Sequence, residues 1–80
     1  MDVLFFGIAK DIVGASQIAF SSETDTPESV GDLKKYLIQT YPDFSKLTSL
    51  AIAVNSEYAL DDVPLVSNDE VAVIPPVSGG

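Results

Sequence analysis

Residues 26–42, TPESVGDLKKYLIQTYP, decide the fold, because they carry the clearest helical pattern of the 80-residue sequence. Thr26 is a good N-cap, Pro27 suits the first helical position, and Glu28 complements the positive end of the helix dipole. Apolar residues then recur at helical spacing, at Val30, Leu33, Leu37 and Tyr41. Pro42 disfavours helical backbone in the residue before it, so the sequence predicts one main helix that ends just ahead of this proline.

Strand-like segments lie on both sides of this helix. They are rich in β-branched and aromatic residues and comprise residues 2–9, 17–21, 50–54, 58–60 and 70–74. Residues 10–14 are predicted to form a loop between the first two strands. Two strands, one helix and further strands are typical of an α+β protein, and we expect a β-grasp (ubiquitin-like) roll, in which a mixed sheet packs on one main helix. One folded domain is predicted over residues 1–76, followed by a flexible tail, residues 77–80.

Alternation along these strands predicts that both faces of the sheet are apolar, since successive side chains point to opposite sides. The set expected to face the helix is Val3, Phe5, Ile18, Phe20, Leu50, Ile52, Val54, Val71 and Val73. One helix of about four turns cannot cover the second face as well. Part of that face should therefore form a contact surface, with Phe6, Tyr58 and Ile74 as its large members. The alternative is that the sheet curls enough to bury Leu4 and Phe6 itself.

The composition restricts the chemistry that the chain can perform. It has no cysteine and no histidine, which excludes disulfides, thiolate nucleophiles and Cys-ligated metal sites and removes the side chain best suited to proton transfer near neutral pH. An autonomous enzyme and a bound metal are therefore not expected. Twelve acidic side chains against four basic ones give a net charge of −8. Such a surface repels nucleic acid and favours a basic protein partner, although acidity also keeps a small domain in solution.

Targeting features are missing from the sequence. No apolar stretch approaches the roughly 20 residues that cross a bilayer, and the first residues lack the basic region of a signal peptide. We therefore expect a cytoplasmic protein with no membrane partner.

The end of the sequence is the expected working part. Two prolines, at positions 75 and 76, stop the last strand and favour an extended exit. The four residues that follow span about 13–14 Å when extended; they are Val77, Ser78, Gly79 and Gly80. Glycines lack Cβ and so fit a channel too narrow for ordinary side chains. The alternative is a frayed terminus without a role.

The carboxylate of Gly80 is the group in this tail that could carry chemistry. It is ionised at neutral pH and must be activated before it can take part in acyl transfer. The chain has no Gly-x-x-x-x-Gly-Lys loop with which to bind ATP. We therefore expect the chain to be the substrate of a separate, ATP-using enzyme.

Several short motifs resemble one family. The ending PPVSGG at residues 75–80, preceded by DEVA at 69–72, resembles the terminal signature of the small subunit of molybdopterin synthase. Further similarities are FFG at residues 5–7, DIVG at 11–14 and AVN at 53–55, so the resemblance covers the whole chain. Two departures are Lys10, where that family usually has arginine, and residues 67–68, Ser-Asn, where it commonly has Asp-Gly.

The resemblance implies a sulfur carrier. An adenylating enzyme similar to ubiquitin-activating enzymes would use ATP to form an acyl-adenylate on Gly80, and a sulfur donor would convert it to a thiocarboxylate. Residues 77–79 would thread the active site of the large subunit of the synthase, where sulfur passes to cyclic pyranopterin monophosphate. Phe6, Tyr58 and Ile74 fall where the family presents its docking surface. The implied assembly with the large subunit is a heterotetramer, and the chain itself is expected to bind no cofactor.

Other hypotheses are open at this point. A sulfur carrier of the thiamin pathway or a ubiquitin-like protein modifier would also use an activated terminus. A modifier would form isopeptide bonds to lysines that depend on Gly80. A non-covalent interaction module with an incidental tail would keep its function without Gly79 and Gly80.

Overall fold

A mixed five-stranded sheet packs on one side against the main helix. The computed structural model describes residues 1–21, 24–47 and 50–75 of the 80-residue chain. In chain order its elements are β1 (Asp2–Phe5), α1 (Ile8–Val13), β2 (Gln17–Ala19), α2 (Val30–Thr40), a 3₁₀ helix (Pro42–Lys46), β3 (Ala51–Val54), β4 (Glu57–Ala59) and β5 (Glu70–Ile74). The strand order is β2-β1-β5-β3-β4, with β1 and β5 parallel and the other neighbours antiparallel. The prediction of an α+β fold with a mixed sheet is confirmed.

The core lies between α2 and one face of the sheet. Its most deeply buried large side chains are Val3, Phe5, Val30, Leu33, Leu37, Ile52, Val71 and Val73. In register, Val3 lies beside Val71 and Phe5 beside Val73, so apolar side chains meet across the central parallel pair. Each large apolar side chain that is fully buried contributes roughly 1.5–3 kcal/mol. The other residues predicted to face the helix pack against this core in partly buried positions: Ile18, Phe20, Leu50 and Val54.

The helix α1 occupies a segment that the sequence pattern assigns partly to the first strand and partly to a loop at residues 10–14. β1 ends at Phe5, and the chain turns at Gly7, whose φ is 55°. The helix ends at Gly14, whose φ of 80° is a conformation that glycine adopts readily. Its inward residues are Ala9, Ile12 and Val13. The prediction of a loop was wrong. A six-residue helix shows only one set of apolar residues at helical spacing, and hydrophobic periodicity over so short a segment does not distinguish a helix from a strand.

The main helix α2 begins three residues later than the sequence pattern predicts. Its N-cap is Ser29 and not Thr26, and Ser29 Oγ accepts an N–H of the first turn at 3.2 Å. The cause is a tertiary contact. Ser29 forms an antiparallel bridge with Pro64, and Leu65 N–H donates to Glu28 O at 2.9 Å. These contacts hold the chain extended as far as Ser29, so the residues ahead of it cannot join the helix.

The loop after β4 also satisfies the first N–H groups of α2. Val30 N–H donates to Val63 O at 3.0 Å, and Gly31 N–H donates to Asp61 O at 2.9 Å. Glycine permits this close approach, since a Cβ at Gly31 would lie 3.2 Å from Asp61 O. Asp61 also forms an ion pair with Lys34, at 2.6 Å from Oδ1 to Nζ. The N–H groups of Val30 and Gly31, at the start of α2, therefore have hydrogen-bond acceptors within the chain.

The turn between β3 and β4 connects the hairpin of these two strands to β5 by hydrogen bonds. Asn55 and Ser56 have φ angles of 51° and 72°, as in a two-residue type I′ turn. The Asn55 side chain accepts the Glu70 N–H at 3.0 Å and donates to Asp69 Oδ1 at 2.9 Å. The Asn55 N–H itself donates to Glu70 O at 2.8 Å. One residue thus links the turn to the start of β5.

We expect Asn55→Ala to lower the free energy of unfolding by about 2 kcal/mol, because it removes two side-chain hydrogen bonds and strains a positive φ. Asn55→Gly removes the same hydrogen bonds but tolerates the φ angle, so its effect should be about half as large. Urea unfolding followed by circular dichroism measures both changes. Equal losses would show that backbone strain plays no part, and no loss in either variant would rule out the side-chain link.

Candidate functional site

The face of the sheet turned away from α2 contains the residues predicted to meet a partner. Residues that are in register on neighbouring strands share a face of the sheet. On this face, one such row consists of Tyr58, Ala53, Ala72 and Leu4. Tyr58 is 75% exposed at the edge of this row, whereas Leu4 is half-buried. We call this surface the open face and define it by Leu4, Phe6, Ala51, Ala53, Tyr58, Ala72 and Ile74.

Phe6 and Ile74 lie side by side at the end of the open face where β5 stops. Ile74 is in register with Ala51. Phe6 N–H donates to Val73 O at 3.4 Å, which continues the pairing of β1 with β5 by one residue. Phe6 is 50% exposed and Ile74 is half-buried. The sheet therefore does not curl enough to bury Phe6, as the alternative interpretation of the sequence required.

The open face has small side chains at its centre and large ones around them. Alanines occupy positions 51, 53 and 72, while Phe6 and Ile74 stand at one end and Tyr58 at one edge, with β3 between Tyr58 and β5. Such a surface offers apolar area with few polar side chains to desolvate, which suits contact with apolar side chains of another protein. Its use by a partner stays a prediction.

Two exposed apolar residues close to Tyr58 were not predicted. Leu60 is 78% exposed and Val66 is 59% exposed. Leu60 follows Tyr58 by two positions, so the alternation that located Tyr58 could have located Leu60 as well. Val66 lies in the loop before β5, where the sequence carries no periodic signal.

The predicted tail residues, Val77, Ser78, Gly79 and Gly80, lie outside the described residues, as does the predicted domain boundary after residue 76. Their roles stay predictions. Pro75 is the last described residue, and a Cβ on Gly7 would lie 3.4 Å from its Cγ. The chain therefore leaves β5 beside the turn that follows β1, next to Phe6.

Acidic side chains mark the end of the open face that is farther from Phe6. Asp2 and Glu70 are in register there, and both are exposed. Lys34 and Lys46 form ion pairs with aspartates elsewhere, at 2.6 and 3.3 Å. Within the described part of the chain, neither Asp2 nor Glu70 has a salt bridge. Their charge is thus directed to solvent or to a partner.

Residues 1–21, 24–47 and 50–75 contain no group of three or more acidic side chains placed to hold a metal ion. Among these same residues, no helix is long and apolar enough to cross a bilayer.

The architecture is that of the ubiquitin-like β-grasp proteins, and solved structures agree with this assignment. A candidate molybdopterin converting factor, subunit 1, from Pyrococcus furiosus superposes with a TM-score of 0.80 at 24% identity, covering 95% of this chain and 95% of that chain. SAMP1 from Haloferax volcanii superposes with a TM-score of 0.72 at 23% identity, covering 100% and 98% of the two chains. At these identities the likeness shows the fold, and the predicted β-grasp roll is confirmed.

The chain belongs to the ThiS family, which matches residues 3–80. The molybdopterin synthase sulfur carrier subunit of Caenorhabditis elegans is 42% identical over 83 residues, which cover 98% of this chain and 94% of that protein. The protein of the same name from Dictyostelium discoideum is 37% identical over 81 residues, covering 98% and 93%. The resemblance to the small subunit of molybdopterin synthase is therefore confirmed.

Because Tyr58 lies on the open face and Val71 in the core, an aspartate should destabilise the chain much less at position 58 than at position 71. Tyr58→Asp should change the free energy of unfolding by no more than about 0.5 kcal/mol, because the side chain is mostly in water. Val71→Asp should destabilise the chain by more than about 3 kcal/mol or unfold it, because the carboxylate would enter the core. Thermal unfolding measures both variants. Similar sensitivity at the two positions would contradict the assignment of the faces.

Proposed function

We propose that this chain is the sulfur-carrier subunit of molybdopterin synthase and that it carries sulfur as a thiocarboxylate on Gly80. The observation that carries the proposal is the near-complete match with proteins of that name, at 42% identity over 98% of this chain for the Caenorhabditis elegans protein. The geometry supports it as well. An exposed apolar face lies where β5 leads into residues 75–80, the segment expected to hold the reactive terminus.

The proposed chemistry takes place on the terminal carboxylate. This group is ionised at neutral pH and is a poor electrophile. We expect an adenylating enzyme to join the Gly80 carboxylate to the AMP part of ATP, with release of pyrophosphate, to give a mixed anhydride. A sulfur donor then displaces AMP, and the product is the thiocarboxylate. The chain binds no ATP itself; it is the substrate of one enzyme and the sulfur source for cyclic pyranopterin monophosphate in another.

The large subunit of molybdopterin synthase is the proposed partner of the open face. Phe6 and Ile74 lie beside the point where Pro75 leaves the sheet, so a protein that covers them also holds the base of the tail. From Pro76, the tail then reaches about 13–14 Å into the active site. Ordering a free segment costs roughly 1–2 kcal/mol per residue, and docking at the open face helps to offset this cost.

The acidity of the chain fits partners of this kind. ATP and a phosphate-bearing pterin are anions, so enzymes that bind them present basic surfaces. A net charge of −8, with Asp2 and Glu70 on the same face as the apolar patch, attracts such surfaces and raises the association rate. The same charge opposes association between copies of this chain.

Charging of the terminus has a direct readout. When the chain is incubated with its activating enzyme, ATP and a sulfur donor, its intact mass should rise by the difference between one sulfur and one oxygen atom. A variant that lacks Gly80 should show no such change and should unfold at the same temperature as the parent chain. An unchanged mass for the parent chain would contradict the carrier function, and attachment to lysines of other proteins would indicate a protein modifier instead.

Charged substitutions on the open face should weaken binding to the large subunit. Phe6→Glu and Ile74→Glu each place a carboxylate where an apolar side chain would be buried, at a cost of roughly 1.5–3 kcal/mol or more, so the dissociation constant should rise at least about tenfold. Isothermal titration calorimetry measures it. Ile38→Glu is the matched control, because Ile38 is 42% exposed on α2 and away from the sheet. Unchanged binding for both face variants would exclude this face as the docking surface.

A further inference from the structure

The strand β4 lies at an edge of the sheet, and the direction of its backbone groups follows from the pairing of β3. Asn55 N–H donates to Glu70 O at 2.8 Å, so this residue bonds toward β5. Backbone N–H and C=O groups alternate in direction along a strand. Those of Ala53 therefore point to β5, and those of its neighbours Ile52 and Val54 point to β4. Ala53 is the register partner of Tyr58. The Tyr58 N–H and C=O are therefore directed away from β3, to the outer edge of the sheet.

Apolar surface lies on both sides of this edge. Tyr58 and Leu60 are among the most exposed large apolar residues of the described chain, at 75% and 78%. An open groove of about 550 Å³ runs beside β4. Its apolar lining on the side of α2 is Val54, Ala59, Val63, Pro64 and Val66; Tyr58 borders it as well, and the polar residues Asn55, Glu57 and Asp69 complete it. A strand added next to β4 would direct alternate side chains toward Tyr58 and into this groove.

Carboxylates stand at both ends of the edge. Glu57 is the first residue of β4, and Asp61 and Asp62 follow shortly after its last residue. Asp61 is paired with Lys34, whereas neither Glu57 nor Asp62 has a salt bridge among the residues described. An occupant with basic residues at its ends and apolar residues between them would complement this arrangement.

We propose that the outer edge of β4 accepts an extended segment of the large subunit as a sixth strand, apolar at its centre and basic at its ends. The inference rests on the proposed function, because Tyr58 belongs both to the open face and to the edge, so a partner that covers the open face also reaches the Tyr58 N–H. Main-chain hydrogen bonds supply affinity in this mode, and the alternating side chains supply specificity. A second copy of this chain is a poor occupant, since its own edge is acidic.

Amide hydrogen exchange of the full chain, free and bound to the purified large subunit, tests the proposal. In the free chain the Tyr58 N–H should exchange rapidly, while those of Glu57 and Ala59, which pair with β3, are protected. In the complex, exchange at Tyr58 should slow by at least about tenfold. Unchanged exchange at Tyr58 in a complex that does form would overturn the edge proposal and leave the proposed function intact. Absence of any complex would overturn both.

Two substitutions at Tyr58 separate the side chain from the backbone. Tyr58→Ala removes only the side chain, whereas Tyr58→Pro also removes the outward N–H, and proline is tolerated on an edge strand when that N–H faces solvent. Tyr58→Pro should bind the large subunit about fivefold to tenfold more weakly than Tyr58→Ala, with a similar unfolding temperature. Equal affinities would overturn the proposal. If proline lowers the unfolding temperature, amide exchange of the unmodified chain decides the question.

The concentration dependence of exchange identifies a different occupant. We expect exchange at Tyr58 in the isolated chain to be the same at low and high concentration. Protection that increases with concentration would show that the edge pairs with a second copy of this chain, and the proposal would be wrong.

Discussion

The parallel pairing of β1 with β5 at the centre of the sheet is the constraint on which the rest of the structure depends. Parallel strands cannot be joined by a tight turn, so the whole chain between Phe5 and Glu70 forms their connection and contains both α2 and the β3–β4 hairpin. The register places Val3 beside Val71 in the core. It also determines where the chain leaves the sheet, which is beside Phe6 at the centre and not at an edge.

The two faces of the sheet differ because only one of them is covered by a helix. The covered face carries valine, isoleucine and phenylalanine, whereas the centre of the open face carries three alanines. Small side chains expose little apolar area to water, so the open face needs no second layer of helices. Its large apolar side chains are Phe6, Ile74 and Tyr58, near the chain exit and the outer edge, and the half-buried Leu4 on β1. Under the proposed function, the covered face provides stability and the open face provides recognition.

Sequence patterns predicted the longer elements, whose signals are local. They missed the six-residue helix α1, whose pattern is too short to distinguish from a strand, and the start of α2, which a tertiary contact decides. Alternation predicted β5 with its observed bounds and assigned both faces, and the proline after Tyr41 predicted the end of α2. The start of α2 was not predictable, because it depends on the bridge between Ser29 and Pro64, which are far apart in sequence. Tyr58 could be assigned to a face by its position, but the direction of its N–H requires the register of β3 with both neighbours.

The size of the open face limits what it can do alone. Five strands of three to five residues, spaced about 4.8 Å apart, cover roughly 300 Å² in projection, whereas a stable interface buries about 800 Å² on each partner. A protein that binds only this face would therefore bind weakly and dissociate quickly. Under the proposed function the chain leaves an activating enzyme before it meets the synthase, and a small contact face permits that exchange. In the proposed function, the tail and the edge of β4 supply the remaining contact with the large subunit.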